Sequence, residues 1–215
     1  MRPDSAASLM RLLSARLILA LAVAPGIAPA LLAQPATDAR TAAVPAWVGA
    51  ARSQIGVTRH YDPAYVELTY PGGDVATDRG VCTDVIVRAL RGSGLDLQQA
   101  IHQDMRGNFA AYPQQWGLKK PNRSIDHRRV PNQMRWFQRQ GWSLPISAAT
   151  SDYRAGDIVA WKLTGSGLLH IGIVSDRRTR AGVPLILHNI GRGTQEEDLL
   201  FAHAIIGHYR PPASL

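Results

Sequence analysis

The stretch Arg79-Gly80-Val81-Cys82-Thr83-Asp84-Val85-Ile86-Val87-Arg88-Ala89-Leu90 holds the only cysteine among 215 residues. Glycine and small or polar residues precede the cysteine, and apolar residues at helical spacing follow it, so the stretch predicts a helix that begins at Cys82. A thiol in the first turn of a helix lies near unpaired N–H groups and the positive end of the helix dipole, which favour the thiolate. Cys82 is therefore either a small buried side chain that packs or a nucleophile.

The N-terminal residues 1–33 combine three arginines, an apolar run at residues 17–24 and small residues at 28–33. This order is typical of a cleaved secretory signal peptide, so we expect a periplasmic or secreted protein. Pro25, Gly26 and Pro29 interrupt the apolar run before it reaches membrane-spanning length, and no stable membrane anchor is expected.

Export restricts the possible roles of the single cysteine. Oxidising compartments favour paired cysteines, and one cysteine cannot form a bridge within its own chain, so Cys82 either pairs with another chain or is used chemically. Removal of residues 1–33 takes three arginines and one aspartate, which lowers the formal charge from +8 to +6. A positive surface suits an anionic cell wall or membrane surface, whereas export and the absence of long Lys/Arg runs argue against nucleic acid.

Residues 34–45 are expected to form a linker, and residues 46–212 one domain with a helical insertion at about 95–150. Apolar residues at helical spacing predict four helices, at Val44–Ile55, Cys82–Arg91, Leu97–Met105 and Val130–Phe137. Short apolar runs between glycine and proline clusters predict four strands, at Asp157–Lys162, Leu168–Val174, Leu185–Ile190 and Ala204–Arg210. Helices first and strands last indicate an α+β fold, with N-terminal helices packed on a C-terminal antiparallel sheet.

Two histidines, His170 and His188, lie within consecutive apolar strands of this predicted sheet. A thiol hydrolase needs a histidine to accept and return the proton of its cysteine, and a third polar group to orient the imidazole. Same-face residues of paired strands lie side by side, so the two rings are expected to meet. Each histidine taken alone is equally compatible with a packed core residue. A metal site formed by Cys82 and the two histidines ranks lower, because its ligands would come from three distant segments.

Several motifs resemble the NlpC-type cell-wall peptidases, which are papain-like cysteine hydrolases. They are Ala51-x-x-Gln54-Ile55-Gly56, Tyr70-x-Gly72-Gly73, Cys82 at a helix start, Gly156-Asp157-Ile158-Val159-Ala160-Trp161 and His170-Ile171-Gly172-Ile173-Val174. From Trp47 to Arg210 the chain resembles more closely the YijF-like family of bacterial secreted proteins. The hallmarks of that family here are Gly80-Val81-Cys82-Thr83-Asp84, Asp96-Leu97-Gln98, Asp126-His127-Arg128, Pro184 to Asn189 and Gly207-His208-Tyr209-Arg210.

The resemblance implies a papain-like fold with Cys82 as nucleophile, His170 as general base and acid, and His188 as the orienting residue. Backbone N–H groups at the helix start and the Tyr70 hydroxyl are expected near the oxyanion, and Asn189 is expected near the substrate. The sequence Val81-Cys82-Thr83-Asp84 departs from the usual Asp-Cys-Ser-Gly of the family, so the surroundings of the nucleophile are expected to differ. Asp84 receives no catalytic role, because an acid close to the sulfur opposes thiolate formation.

The polar segment Asp126-His127-Arg128 has two interpretations. It forms part of the substrate site, with Arg128 or Arg129 binding a carboxylate through a two-pronged contact. Alternatively, Asp126 caps the start of the helix that carries Met134 and Phe137.

The sequence therefore predicts an exported, monomeric cysteine amide hydrolase that acts on peptidoglycan peptides through Cys82, His170 and His188, with no metal or other cofactor. A non-catalytic wall-binding or protein-binding module on the same fold, and an acyl transferase, are the alternatives.

Overall fold

The computed structural model describes residues 43–215. The predicted signal peptide and most of the predicted linker lie outside the described residues. Four helices are present within this range: α1 (Ala46–Arg52), α2 (Cys82–Arg91), α3 (Leu97–Asn108) and α4 (Val130–Arg139). Single 3-10 turns occur at Phe109–Ala111, Asp126–Arg128 and Thr150–Asp152. None of the helices in residues 43–215 is both long enough and apolar enough to cross a membrane.

The strands form two sheets. A short parallel pair joins β1 (His60–Tyr61) to β2 (Arg79–Gly80), directly before the cysteine. The main sheet is antiparallel and has the order β6-β5-β4-β3-β7. Its strands are β3 (Ile158–Lys162), β4 (Leu169–Arg178), β5 (Pro184–Asn189), β6 (Thr194–Glu197) and β7 (Ala204–Tyr209).

The two faces of the main sheet bury different side chains because successive strand residues point in opposite directions. Ile171, Ile173 and Leu187 pack with the apolar sides of α1 and α2 in the larger core. Val174 and Ile186, with Trp161, point to the other face and form a second cluster. The predicted α+β fold with helices on an antiparallel sheet is thus confirmed.

Helix α2 lies at the centre of the larger core and is buried on nearly every side. Eight of its ten residues are buried, from Cys82 to Leu90 with the exception of Arg88. Arg88 binds Asp74 through two nitrogens, at 2.8 and 3.0 Å, and donates to the carbonyl of Arg79 at 3.0 Å. The loop that leads into the cysteine is therefore fixed to the helix that follows it.

The sequence-based bounds of α2 are confirmed, whereas α1 ends at Arg52 and not at Ile55, where the chain continues as turns. Strand β6 was not predicted, because Thr194–Glu197 contains no apolar residue. This strand pairs with β5 at the edge of the sheet, where polar side chains suit an edge exposed to water.

Candidate active site

Cys82 is the first residue of α2 and is 4% exposed. The backbone N–H groups of Ile171 on β4, of Thr83 and of Cys82 itself all favour the thiolate, and that of Ile171 has the largest effect of the three. Pairing between β4 and β5 runs from Arg178/Pro184 to Ile173/Leu187, so Ile171 lies just beyond the last paired position. The start of α2 thus lies close to the part of β4 from which β5 diverges.

The pKa of the Cys82 thiol is raised to about 12, first by burial and also by the charge of Asp84. The three backbone N–H groups act in the opposite direction but are outweighed. The predicted lowering of the thiol pKa by the helix start is therefore wrong, since removal of the thiolate from water costs more than the helix end returns. The resting side chain is a neutral thiol.

His170 on β4 and His188 on β5 meet as the sequence predicted for paired strands. Nε2 of His170 is 3.0 Å from Nδ1 of His188, and both rings are buried. Burial, followed by the proximity of His188, lowers the pKa of His170 to about 3. Burial also lowers the pKa of His188, and the nearby Glu197 carboxylate opposes this shift. Both imidazoles are neutral at pH 7.

Glu197 on β6 completes this chain of contacts and was missed from the sequence. Its Oε2 is 3.1 Å from Nε2 of His188, although the contact lacks the alignment of a good hydrogen bond. A carboxylate accepts only, so the proximity of Glu197 favours the tautomer of His188 with the proton on Nε2 and Nδ1 as acceptor. In that arrangement Nε2 of His170 donates, and Nδ1 of His170 is the basic nitrogen.

The close approach of the two rings depends on the glycine between them on the sheet. A Cβ atom at Gly172 would lie 2.6 Å from Cγ2 of Ile186 and 3.2 Å from Cβ of His188. Neither β5 side chain can approach β4 this closely unless position 172 lacks a side chain. The glycine of the His170-Ile171-Gly172 motif is therefore a packing requirement of the histidine pair.

Tyr61 is within electrostatic range of the Cys82 thiol, whereas the predicted Tyr70 packs against α3. Tyr61 lies on β1 opposite Gly80, and its pKa is raised to about 12 by burial and then by the nearby Cys82 and Asp84. Tyr70 packs its ring against His102 on α3, with centroids 5.1 Å apart, and lies under Arg123. The sequence signal for Tyr61 was its place five residues after the Ile55-Gly56 motif, at the start of an extended piece.

Arg128 is buried and holds Asp84 through two hydrogen bonds of 2.9 Å, from Nε and Nη2. It also donates to the carbonyls of Ala64 and Asp62, in the loop that follows Tyr61. Asp84 in turn accepts from the N–H of Val81 at 2.7 Å. The guanidinium of Arg128 is occupied by these partners and positions the turn that leads into Cys82, while binding of a substrate carboxylate by Arg128 stays a prediction.

Asp126 and His127 are also buried beneath the site. The carboxylate of Asp126 accepts from the N–H of Asn122 and pairs with Arg129 at 3.1 Å. The N-cap position of α4 is occupied by Arg129, and no side chain makes a capping hydrogen bond there. The alternative role of Asp126 as helix cap is therefore wrong. Burial, followed by the charge of Arg128, lowers the pKa of His127 to about 4. Neither residue lies at a surface that a substrate reaches.

Asn189, at the end of β5, is a structural link. Its amide nitrogen donates to the carbonyls of Gly80 at 3.0 Å and His60 at 3.4 Å. It is fully buried, and the predicted contact with substrate stays a prediction. The link ties the strand that carries His188 to the strand that precedes Cys82.

The described part of the chain contains no group of three or more histidine, cysteine and acidic side chains arranged to hold a metal ion. The set of reactive groups in residues 43–215 is a buried thiol at the start of α2, together with a pair of histidines on β4 and β5 that has a carboxylate behind it. Such a set transfers a proton and forms a bond from sulfur to an electrophilic carbon.

Comparisons with known proteins extend over most of the described domain. A protein of Escherichia coli (strain K12), described as "Uncharacterized protein YijF", is 60% identical over 160 residues, which are 74% of this chain and 78% of that protein. A crystal structure of a protein of the NLP/P60 family, described as similar to lipoprotein and from Staphylococcus aureus subsp. aureus Mu50, aligns with a TM-score of 0.36 and 15% identity. That alignment covers 76% of this chain and 41% of the other.

The suspected resemblance to the YijF-like family is confirmed by the first of these relatives. The model of the family described as "Domain of unknown function (DUF1287)" matches residues 48–211, which include every residue of the candidate site. The chain therefore belongs to the DUF1287 family.

Proposed function

We propose that this protein is a cysteine amide hydrolase in which Cys82 is the nucleophile and His170 the general base and acid. The observation that carries the proposal is the ordered contact from His170 through His188 to Glu197, at 3.0 and 3.1 Å. It begins at the residue before Ile171, whose backbone N–H lowers the pKa of the Cys82 thiol. A packed core histidine has no need of a second histidine and a carboxylate behind it.

In the first step, Nδ1 of His170 takes the thiol proton as sulfur attacks the carbonyl carbon of an amide. The neutral resting thiol makes this transfer part of the attack itself. Protonation of His170 is costly because its folded pKa is about 3. The carboxylate of Glu197 offsets that cost through His188, which donates toward it and accepts from His170.

The carbonyl oxygen becomes an oxyanion in this step. We assign its stabilisation to the N–H groups at the start of α2 and to the hydroxyl of Tyr61, since both interact electrostatically with the Cys82 thiol. Collapse of the intermediate breaks the C–N bond, and His170 returns its proton to the leaving amine. Water then attacks the thioester, releases a carboxylate and restores the Cys82 thiol, so the net reaction is amide hydrolysis.

We propose peptides of the bacterial cell wall as the substrate class and the periplasm or exterior as the compartment. The signal-like residues 1–33 and the positive formal charge support this. Wall peptides combine accessible amides with free carboxylates, which a basic exported protein attracts.

Purified wall fragments incubated with the protein and analysed by mass spectrometry provide the test. We expect new fragments heavier by one water in total than their parent, absent with Cys82→Ala and Cys82→Ser. Equal fragmentation by Cys82→Ala would remove the proposal, since no other thiol exists in the sequence.

A non-catalytic binding module on the same fold is a second candidate, favoured by one observation. The raised pKa of Cys82 and its 4% exposure describe an unreactive thiol in the resting protein. Iodoacetamide labelling separates the two functions when wall fragments are added. During turnover of added wall fragments, an acyl group occupies the sulfur of a hydrolase, so the labelling of Cys82 should decrease. A binding module forms no acyl group and releases no new products, and its labelling rate is unchanged after the fragments are washed out.

A further inference from the structure

An open groove of about 600 Å³ lies against α3 and the segment that precedes Asp126. The residues that define it, which we call the basic groove, are Tyr65, Glu67, His102, Lys119, Lys120 and Arg123. Its size is in the range of small-ligand and peptide sites. None of these residues belongs to the set around Cys82.

Three cations converge on the basic groove without a carboxylate partner. Lys119, Lys120 and Arg123 are exposed, and within residues 43–215 they form no ion pair. The neighbouring carboxylates are engaged elsewhere, Asp126 by Arg129 and Asp104 by Arg139. Glu67 is the one acidic side chain in the lining, so the charge of the groove is positive.

The aromatic and imidazole side chains give the groove a partly apolar lining. The ring of Tyr70 lies between Arg123, 6.0 Å from its centroid, and His102. Nδ1 of His102 is shielded from water and has no hydrogen-bond partner among the described residues. A polar atom left in this condition costs free energy unless a ligand or water satisfies it.

The backbone around the groove is held in place before any ligand arrives. Gln98, which is buried, donates to the carbonyls of Thr69 at 2.8 Å and Arg123 at 3.1 Å, and accepts from Gly73 at 2.9 Å. Ser124 accepts from the N–H of Leu68 at 3.1 Å. A site fixed in this way loses little conformational entropy on binding.

We propose that the basic groove binds an acidic peptide, with carboxylates held by Lys119, Lys120 and Arg123. A peptide is favoured over a phosphate polymer because Tyr65, Leu118 and Pro121 add apolar surface that peptide side chains can cover. The site goes beyond the proposed hydrolase, since it shares no side chain with the thiol and histidine set. Failure of one proposal therefore leaves the other unaffected.

Isothermal titration of the full chain carrying Cys82→Ala provides the test, with hexaglutamate as the probe and hexaglutamine as its uncharged match. We expect Lys119→Ala/Lys120→Ala to weaken hexaglutamate binding by roughly tenfold, since exposed ion pairs contribute up to about 1 kcal/mol each. Lys162→Ala/Arg180→Ala removes the same charge from exposed positions elsewhere and should change the Kd by less than about twofold. Glu67→Gln should tighten binding, because it removes the one repelling carboxylate.

Two results would overturn this assignment. An equal loss with the Lys162/Arg180 control would show attraction to a basic protein in general. Tighter binding of a polyphosphate of the same charge, lost in the Lys119/Lys120 variant, would make the ligand a phosphate polymer instead. Thermal melts of each variant verify that the fold is retained.

Discussion

The rings of His170 and His188 meet edge to face, with centroids 5.1 Å apart and planes at 84°. This geometry directs Nε2 of one ring at Nδ1 of the other and fixes both tautomers once Glu197 is in place. Two stacked rings would pack equally well, but neither ring would then determine which nitrogen of the other carries the proton. The perpendicular arrangement therefore supports a function in proton transfer.

The three members of this relay should differ in their effect on turnover. His170→Ala removes the base and should lower kcat by about 10²–10⁴, the usual range for general acid–base catalysis. His188→Gln and Glu197→Gln keep polar groups and should retain more activity than His170→Ala. Rates on wall fragments measure this order. Full activity of His170→Ala would contradict its role as the base. A greater loss of activity in His188→Gln would mean that His188 is the base and His170 the orienting residue.

The two tyrosines provide a matched pair for the oxyanion site. Tyr61→Phe removes one donor beside the thiol, and loss of such a donor lowers kcat by about 10²–10³. Tyr70→Phe removes a hydroxyl from the ring that packs on His102 and should leave kcat unchanged. Steady-state kinetics of both variants measure the difference. A larger loss in Tyr70→Phe would restore the sequence-based assignment.

The buried pair of Asp84 and Arg128 should control stability. Arg128→Met leaves the Asp84 carboxylate buried without its partner, which typically costs about 3–5 kcal/mol in the free energy of unfolding. The double variant Asp84→Leu/Arg128→Met removes both charges and should recover part of that loss. The control is Arg139→Met, whose two-pronged pair with Asp104 is partly exposed and should contribute much less to stability, because solvent screens it.

Urea unfolding of these variants measures the free energies. An equal loss for Arg128→Met and Arg139→Met would show that burial of the Asp84 pair contributes nothing beyond a surface contact.

Stability should also fall as the solution becomes acidic. The pKa of His170 is about 3 in the folded chain and about 6.5 in the unfolded chain. Between these values the unfolded chain binds more protons, so the free energy of unfolding decreases as pH falls, by up to about 1.4 kcal/mol per pH unit for each such group. His127, with its pKa at about 4, acts in the same direction.

Urea unfolding at pH 7 and pH 5 measures this slope. His127→Gln should flatten it by up to the contribution of one group, whereas His60→Gln, which removes an exposed imidazole, is the control. An unchanged slope in His127→Gln would show that the folded and unfolded chains bind protons equally at His127, so that burial does not lower its pKa.

The sequence predicted the local features that depend on periodicity. The apolar pattern after Cys82 predicted both ends of α2, and the runs around His170 and His188 predicted neighbouring strands. The contact between the two imidazoles also followed, because same-face residues of paired strands are adjacent.

The features that depend on distant partners could not be read from the sequence. Asp84 and Arg128 are 44 residues apart, so neither local charge nor helix capping indicated their pairing. Glu197 lies in a strand without apolar residues, which carried no strand signal. The thiol pKa was predicted with the wrong sign because burial is set by tertiary packing around Cys82.

The divergence of β5 from β4 beyond Ile173 leaves the backbone of Ile171 paired with Ala160 of β3 but not with β5. The Ile171 N–H instead acts on the Cys82 thiol and lowers its pKa. A longer β5 and the thiol would thus compete for the same N–H group. A sequence change that extended the pairing of β4 and β5 by one pair of residues would use the Ile171 N–H within the sheet. The thiol would then lose this N–H group, so a more regular sheet would disrupt the candidate site.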